Sequence, residues 1–107
     1  MKEVKVDDIS LSNESNFALI AGLNVLEDKG IVKEVIEELK KVTNELDIPF
    51  IFKASYDKAN RSSIDSYRGP GVDKGLEMLA KIKSEYGVPL ISDVHSPEEV
   101  LKAKRCK

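Results

Sequence analysis

The chain has 107 residues, with 17 Lys and Arg against 19 Asp and Glu, a net charge of -2, and 41% hydrophobic residues. That is one globular domain's worth of chain, without the basic excess a general nucleic-acid binder needs. Its apolar runs fall short of the roughly 18 residues of a membrane span, no apolar signal segment follows Met1, and a lone His95 and a lone Cys106 exclude an internal disulfide and disfavour a zinc site built within the chain. The single cysteine fits a reducing cytoplasm.

Val4 and Val6, then Ile9 and Leu11, alternate with polar residues around Asp7-Asp8, which predicts a small hairpin over 1–12. Phe17-Ala18-Leu19-Ile20-Ala21, closed by Gly22, is a continuous apolar run of the kind found in strands buried on both faces. Asp28 is placed to cap a helix running to about Leu46. Its apolar residues Val32, Val35, Ile36, Leu39, Val42 and Leu46 recur at three- and four-residue steps. Pro49 to Phe52 predicts a second buried strand. The polar stretch from Lys53 to Gly71 has too little apolar content to make a core.

A second helix is expected from Val72 to Tyr86, with Leu76, Leu79, Ala80 and Lys83 on one face and Gly87 ending it. Pro89 to Val94 predicts a third strand. Ser96-Pro97-Glu98-Glu99 is a helix start: Ser caps, Pro takes the first helical position, and Glu stands three residues after the cap. Val100 and Leu101 begin an apolar stripe that the Lys102–Lys107 stretch breaks.

Strand and helix alternate, which implies parallel strands joined by right-handed crossovers. A closed (β/α)8 barrel takes about 250 residues. The expected fold class is therefore α/β: the N-terminal portion of a TIM barrel, with the hairpin in 1–12 and three βα units in 17–107, the last one truncated.

In such proteins the site lies at the C-terminal ends of the strands. Three segments fall there: Gly22-Leu23-Asn24, the stretch from Lys53 to Gly71, and Asp93-Val94-His95-Ser96. The second carries Lys53, Lys58, Arg61 and Arg68 against Asp57 and Asp65, together with Asn60, Ser62, Ser63 and Ser66. Arg offers a planar donor fork suited to phosphate, Lys a point charge, and Ser further donors. Spacing alone fits either a phosphate or carboxylate site or a solvated loop with surplus positive charge. Asn24 by itself reads as a turn residue beside Gly22. His95 by itself fits a hydrogen-bonded structural group as well as a chemical one, and Asp93 suits orienting water or balancing the Lys cluster. Cys106 reads as an incidental exposed thiol.

The run Lys53-Ala54-Ser55-Tyr56-Asp57-Lys58-Ala59-Asn60-Arg61-Ser62-Ser63-Ile64, followed by Ser66-Tyr67-Arg68-Gly69-Pro70-Gly71, resembles the signature of the 3-deoxy-D-manno-octulosonate 8-phosphate synthase family (2-dehydro-3-deoxyphosphooctonate aldolases). The resemblance extends to Ile20-Ala21-Gly22-Leu23-Asn24-Val25-Leu26-Glu27 and to Ser92-Asp93-Val94-His95, and it covers the chain from the hairpin to about Pro97. It implies a cytoplasmic transferase that condenses phosphoenolpyruvate with D-arabinose 5-phosphate for the lipopolysaccharide inner core. It also implies a homotetramer for the full-length enzyme, with small phosphorylated substrates as its partners and neither nucleic acid nor membrane.

Carried over by position, Lys58 resembles a phosphoenolpyruvate ligand, with Lys53 near it. Asn60, Arg61, Ser62 and Ser63 resemble contacts to the sugar phosphate, with Arg68 in the same basic cluster. Asn24, Lys58, Asp93 and His95 stand at the positions expected to take part in the chemistry. Metal-dependent members carry Cys where this chain has Asn24. An amide is a poor ligand for a soft transition metal, so the resemblance implies the metal-independent class, with no cofactor.

Two residues depart from the pattern. Asp65 replaces the usual His of Ser-Ser-Ile-His-Ser, setting an anion beside the cationic cluster. Asp28 replaces a Ser, and both residue types cap helices. The family's remaining strand-helix units and their polyanion-binding residues lie beyond Lys107. The chain alone is thus expected to be inactive, a truncated or frame-shifted barrel fragment being the alternative to a working synthase. The sister synthase that uses erythrose 4-phosphate ranks lower, because its motif is a shorter Lys-Pro-Arg-Thr.

Overall fold

The computed structural model describes residues 2–57 and 69–104. Val4–Val6 (β1) and Ile9–Leu11 (β2) pair antiparallel, with Val4 opposite Leu11 and Val6 opposite Ile9. The tight turn between them needs Asp7 at φ 52°, a left-handed conformation that Asp tolerates because its short side chain bonds locally.

Leu19–Leu23 (β3), Phe50–Ala54 (β4) and Leu90–Ile91 (β5) form a parallel sheet in the order β3-β4-β5. Leu19 lies opposite Phe50, and Phe52 opposite Leu90. The two crossovers are helices: Lys29–Glu45 (α1) and Val72–Tyr86 (α2). The Asp28 carboxylate accepts the Ile31 N–H at 3.0 Å and caps α1. Gly87, at φ 64° and ψ 27°, ends α2 in the left-handed conformation that costs Gly nothing.

Strand alternation assigns the two faces of the sheet. Phe50, Phe52 and Ala54 join Val32 and Ile36 of α1 and Leu76, Leu79 and Ile82 of α2 in one buried cluster, so both helices cover the same face. Gly75 lets α2 approach β4's continuation closely: a Cβ built there would sit 2.2 Å from the Cβ of Tyr56. Lys40 of α1 donates to the Tyr86 carbonyl at 2.6 Å, closing the last turn of α2 onto α1. Pro97–Lys104 (α3) lies against α2, with the Lys102 ammonium 3.1 Å from Asp73.

Several expectations need correction. Phe17 is 71% exposed and precedes the strand, which begins at Leu19. A continuous apolar run has no periodicity to mark its ends, and the pairing with β4 sets them instead. The third strand is two residues long rather than six, ending where Ser92 leaves the sheet. On α2 the buried face is Gly75, Leu76, Leu79 and Ile82, with Ala80 and Lys83 at its margin. Helix α3 continues through Lys104 rather than breaking at Lys102, since Lys and Ala are good helix formers and cations favour a helix C-terminus.

The face of the sheet away from the helices carries Ile20 at 43% and Ile91 at 41% exposure, with Val94 at 39% just beyond β5. Exposed apolar faces and open strand edges recruit other chains. The isolated chain is therefore expected to self-associate, read as a light-scattering mass that rises with concentration. A monomer with one sharp thermal transition would contradict this.

Candidate functional site

The C-terminal edge of the parallel sheet gathers the polar residues of the three strands. Asn24 stands exposed, one residue past β3. The chain after it is fixed by the Leu26 N–H donating to the Ser55 carbonyl at 2.8 Å, with Val25 and Leu26 buried. On β4, Lys53 projects from the face opposite the helix-packed core and is exposed between buried Phe52 and buried Ala54. Asp93 and His95 follow β5.

These side chains meet. The hydroxyl of fully buried Ser55 donates to Asp93 Oδ1 at 2.5 Å. His95 Nε2 lies 3.3 Å from Asp93 Oδ2 and 2.7 Å from the carbonyl oxygen of Asp57. Burial pushes the Asp93 carboxyl up, but the Ser55 hydroxyl, a bond to its own backbone, and the charges of His95 and Lys53 outweigh it. The net shift is downward. Asp93 is thus held as a carboxylate, suited to orienting water or a donor group.

A second layer lies just behind. Fully buried Tyr56 donates from its hydroxyl to Glu99 Oε1 at 2.6 Å, and its ring stands edge-on to His95 with centroids 6.1 Å apart. The Tyr56 carbonyl accepts the Gly71 N–H at 3.1 Å. Tyr56 therefore ties the chain leaving β4 to the start of α2. Burial, then the Glu99 carboxylate, push the Tyr56 hydroxyl's pKa up. The Tyr56 bond, opposed by partial desolvation and aided by Ser96 and the His95 backbone N–H, pulls the Glu99 carboxyl down.

The structure thus brings Lys53, Asp93 and His95 to one edge, with Asn24 on the same edge. Lys58, Asn60, Arg61, Ser62, Ser63 and Arg68 lie outside the described residues. Sequence reasoning missed Ser55, Tyr56 and Glu99. Ser55 and Tyr56 stand inside the Lys53 to Ile64 run, but that run assigned them no role. Glu99 was legible only as a capping residue. Among the described residues no group of three or more His, Cys, Asp or Glu side chains is placed to hold a metal ion, and no helix is long and apolar enough to cross a membrane.

The family model described as the DAHP synthetase I family matches residues 2–106. Three curated relatives, each named 2-dehydro-3-deoxyphosphooctonate aldolase, are similar to the chain at about half identity. The relative from Marinobacter nauticus is 51% identical over 100 residues, covering 94% of this chain and 36% of its own length. That from Pseudoalteromonas translucida is 51% identical over 96 residues, 90% of this chain and 34% of its own. That from Pseudomonas fluorescens strain SBW25 is 50% identical over 98 residues, 92% and 35% respectively. The chain spans about a third of the length of the curated relatives it matches.

Proposed function

The chain belongs to the DAHP synthetase I family, and from that premise we propose that it forms part of a 3-deoxy-D-manno-octulosonate 8-phosphate synthase. The observation that carries the proposal is the set of relatives named 2-dehydro-3-deoxyphosphooctonate aldolase, at 50% or 51% identity over as much as 94% of the chain. On this proposal the hairpin in 1–12 and the βα units in 17–107 belong to a (β/α)8 barrel, whose C-terminal strand edge is the site. The assembled enzyme is a cytoplasmic homotetramer serving the lipopolysaccharide inner core.

The nucleophilic carbon of phosphoenolpyruvate attacks the aldehyde of D-arabinose 5-phosphate. Water adds at the neighbouring carbon, and phosphate leaves by C–O cleavage. Both substrates are polyanions, and fixed cations in a water-poor site stabilise such charge more than solvent does. Lys53 and Lys58 serve phosphoenolpyruvate; Asn60, Arg61, Ser62, Ser63 and Arg68 serve the sugar phosphate. Asp93 and His95, which lie 3.3 Å apart, orient the attacking water.

The erythrose 4-phosphate synthase is the second candidate, because the family description reads DAHP. The Lys-Ala-Asn-Arg-Ser-Ser run and the relatives' names favour the arabinose substrate. The test is a chimera in which this chain replaces the matched stretch of the Marinobacter nauticus relative. Arabinose-dependent phosphate release from phosphoenolpyruvate is expected, and a folded chimera without it rejects the proposal.

Asn24 does not suit a soft transition metal, since its amide oxygen is a hard, neutral donor. No step above uses a metal. The chimera is expected to keep its rate under excess chelator, measured as initial phosphate release. Loss of that rate, restored by a divalent transition metal, would reverse the assignment of Asn24.

A further inference from the structure

Glu99 does more than cap α3. Its N–H donates to Ser96 Oγ at 3.3 Å, and its Oε2 accepts from the same hydroxyl at 3.2 Å, which is the cap that Ser96-Pro97-Glu98-Glu99 encodes. Its Oε1 takes the buried Tyr56 hydroxyl at 2.6 Å, from a residue 43 positions away. One acidic side chain therefore joins the segment after β4, the segment after β5 and the first turn of α3.

His95 sits inside this triangle. Tyr56 stands edge-on to its ring, Glu99 holds the adjacent Ser96, and Nε2 lies 2.7 Å from the Asp57 carbonyl oxygen. A carbonyl oxygen only accepts, and so does an ionised carboxylate. With the Asp57 carbonyl and Asp93 Oδ2 both within reach of Nε2, that nitrogen must carry the proton. The lone pair of neutral His95 is then on Nδ1, and the second nitrogen's bond is what fixes which tautomer is present.

We infer that Glu99 and Tyr56 are positioning residues: their hydrogen bond locks His95 beside Asp93 as the Nε2–H tautomer, leaving Nδ1 as the basic nitrogen. The importance of this for turnover rests on the synthase proposal above, which places His95 at the substrate edge. Neither residue is asked to touch substrate.

His95 is the one histidine of the chain, so its ring gives a single set of signals. Ring 15N shifts of the labelled 107-residue chain, recorded without substrate above the titration range of histidine, report the tautomer directly. The expected result is a wide Nδ1–Nε2 separation with Nε2 protonated, retained in Glu99→Gln, which keeps an oxygen acceptor for Tyr56. In Tyr56→Phe and in Glu99→Ala the separation is expected to shrink toward that of a free histidine peptide. A wild-type ring protonated on Nδ1, or ring signals unchanged in both Tyr56→Phe and Glu99→Ala, would overturn the inference. If Tyr56→Phe loses amide dispersion through unfolding, the contrast between Glu99→Ala and Glu99→Gln decides. Because substrate is absent, failure of the synthase proposal leaves this result standing. Unchanged ring signals, with the chimera turning over phosphoenolpyruvate, reject the positioning role alone.

Discussion

Lys58→Ala in the chimera is expected to abolish measurable turnover, and Arg61→Ala to weaken arabinose 5-phosphate while leaving phosphoenolpyruvate binding in place. Both residues belong to the long motif that resembles the synthase signature, and both substrates carry several negative charges. Truncating one partner of a desolvated charge pair costs on the order of 2–5 kcal/mol, much of it from leaving the other charge buried and unpaired. For Arg61 that loss should appear in the Michaelis constant of the sugar phosphate. For Lys58 it should appear in the chemical step, because phosphoenolpyruvate is the carbon nucleophile. Steady-state kinetics with each substrate varied in turn separates the two. An Arg61→Ala enzyme with an unchanged dependence on arabinose 5-phosphate would show that this cation does not face the sugar phosphate.

Gly75→Ala is expected to be among the most destabilising single-methyl changes in the chain. The added Cβ would fall 2.2 Å from the Cβ of Tyr56 and 3.3 Å from its Cα. Tyr56 is fully buried and fixed at three points: the Glu99 carboxylate, the Gly71 N–H and the His95 ring. No flexible side-chain tip is available to yield. Overpacking a rigid core costs about 1–3 kcal/mol and occasionally more, a large share of the roughly 5–15 kcal/mol that holds a domain together. A thermal shift of the chimera checks this, with Gly30→Ala as the control, since the nearest atom to a Cβ there is the Asp28 carboxylate oxygen at 3.1 Å. Equal transition temperatures for the two variants would mean that α2 does not rest on Tyr56.

The elements that the sequence revealed well were those with punctuation. Asp28 and Gly87 bound α1 and α2 as expected, and Ser96-Pro97 opens α3. Caps and left-handed glycines are local chemistry, legible without any tertiary context. The parallel order β3-β4-β5 followed from alternation and spacing. Strand ends were less legible. Phe17 has the same hydropathy as Phe50, yet one is exposed and the other buried, because only Phe50 has a helix over it.

The site was half legible for a similar reason. Lys53, Asp93 and His95 stand at strand ends, where topology sends functional residues. Ser55 and Tyr56 sit in a stretch whose average polarity hides two fully buried side chains. Their partners, Asp93 and Glu99, are 38 and 43 residues away. No local pattern encodes a hydrogen bond across that distance.

The central claim is that these residues recognise a five-carbon sugar phosphate beside phosphoenolpyruvate. Its most direct test is the ratio of kcat/KM for D-arabinose 5-phosphate to that for erythrose 4-phosphate in the chimera carrying this chain. The motif Lys58 to Ser63 and the Lys53–Asp93–His95 edge predict a ratio far above one, on the order of 10⁴ for a site built to hydrogen-bond the longer sugar. A ratio below one, with phosphate released chiefly in the presence of erythrose 4-phosphate, would contradict it.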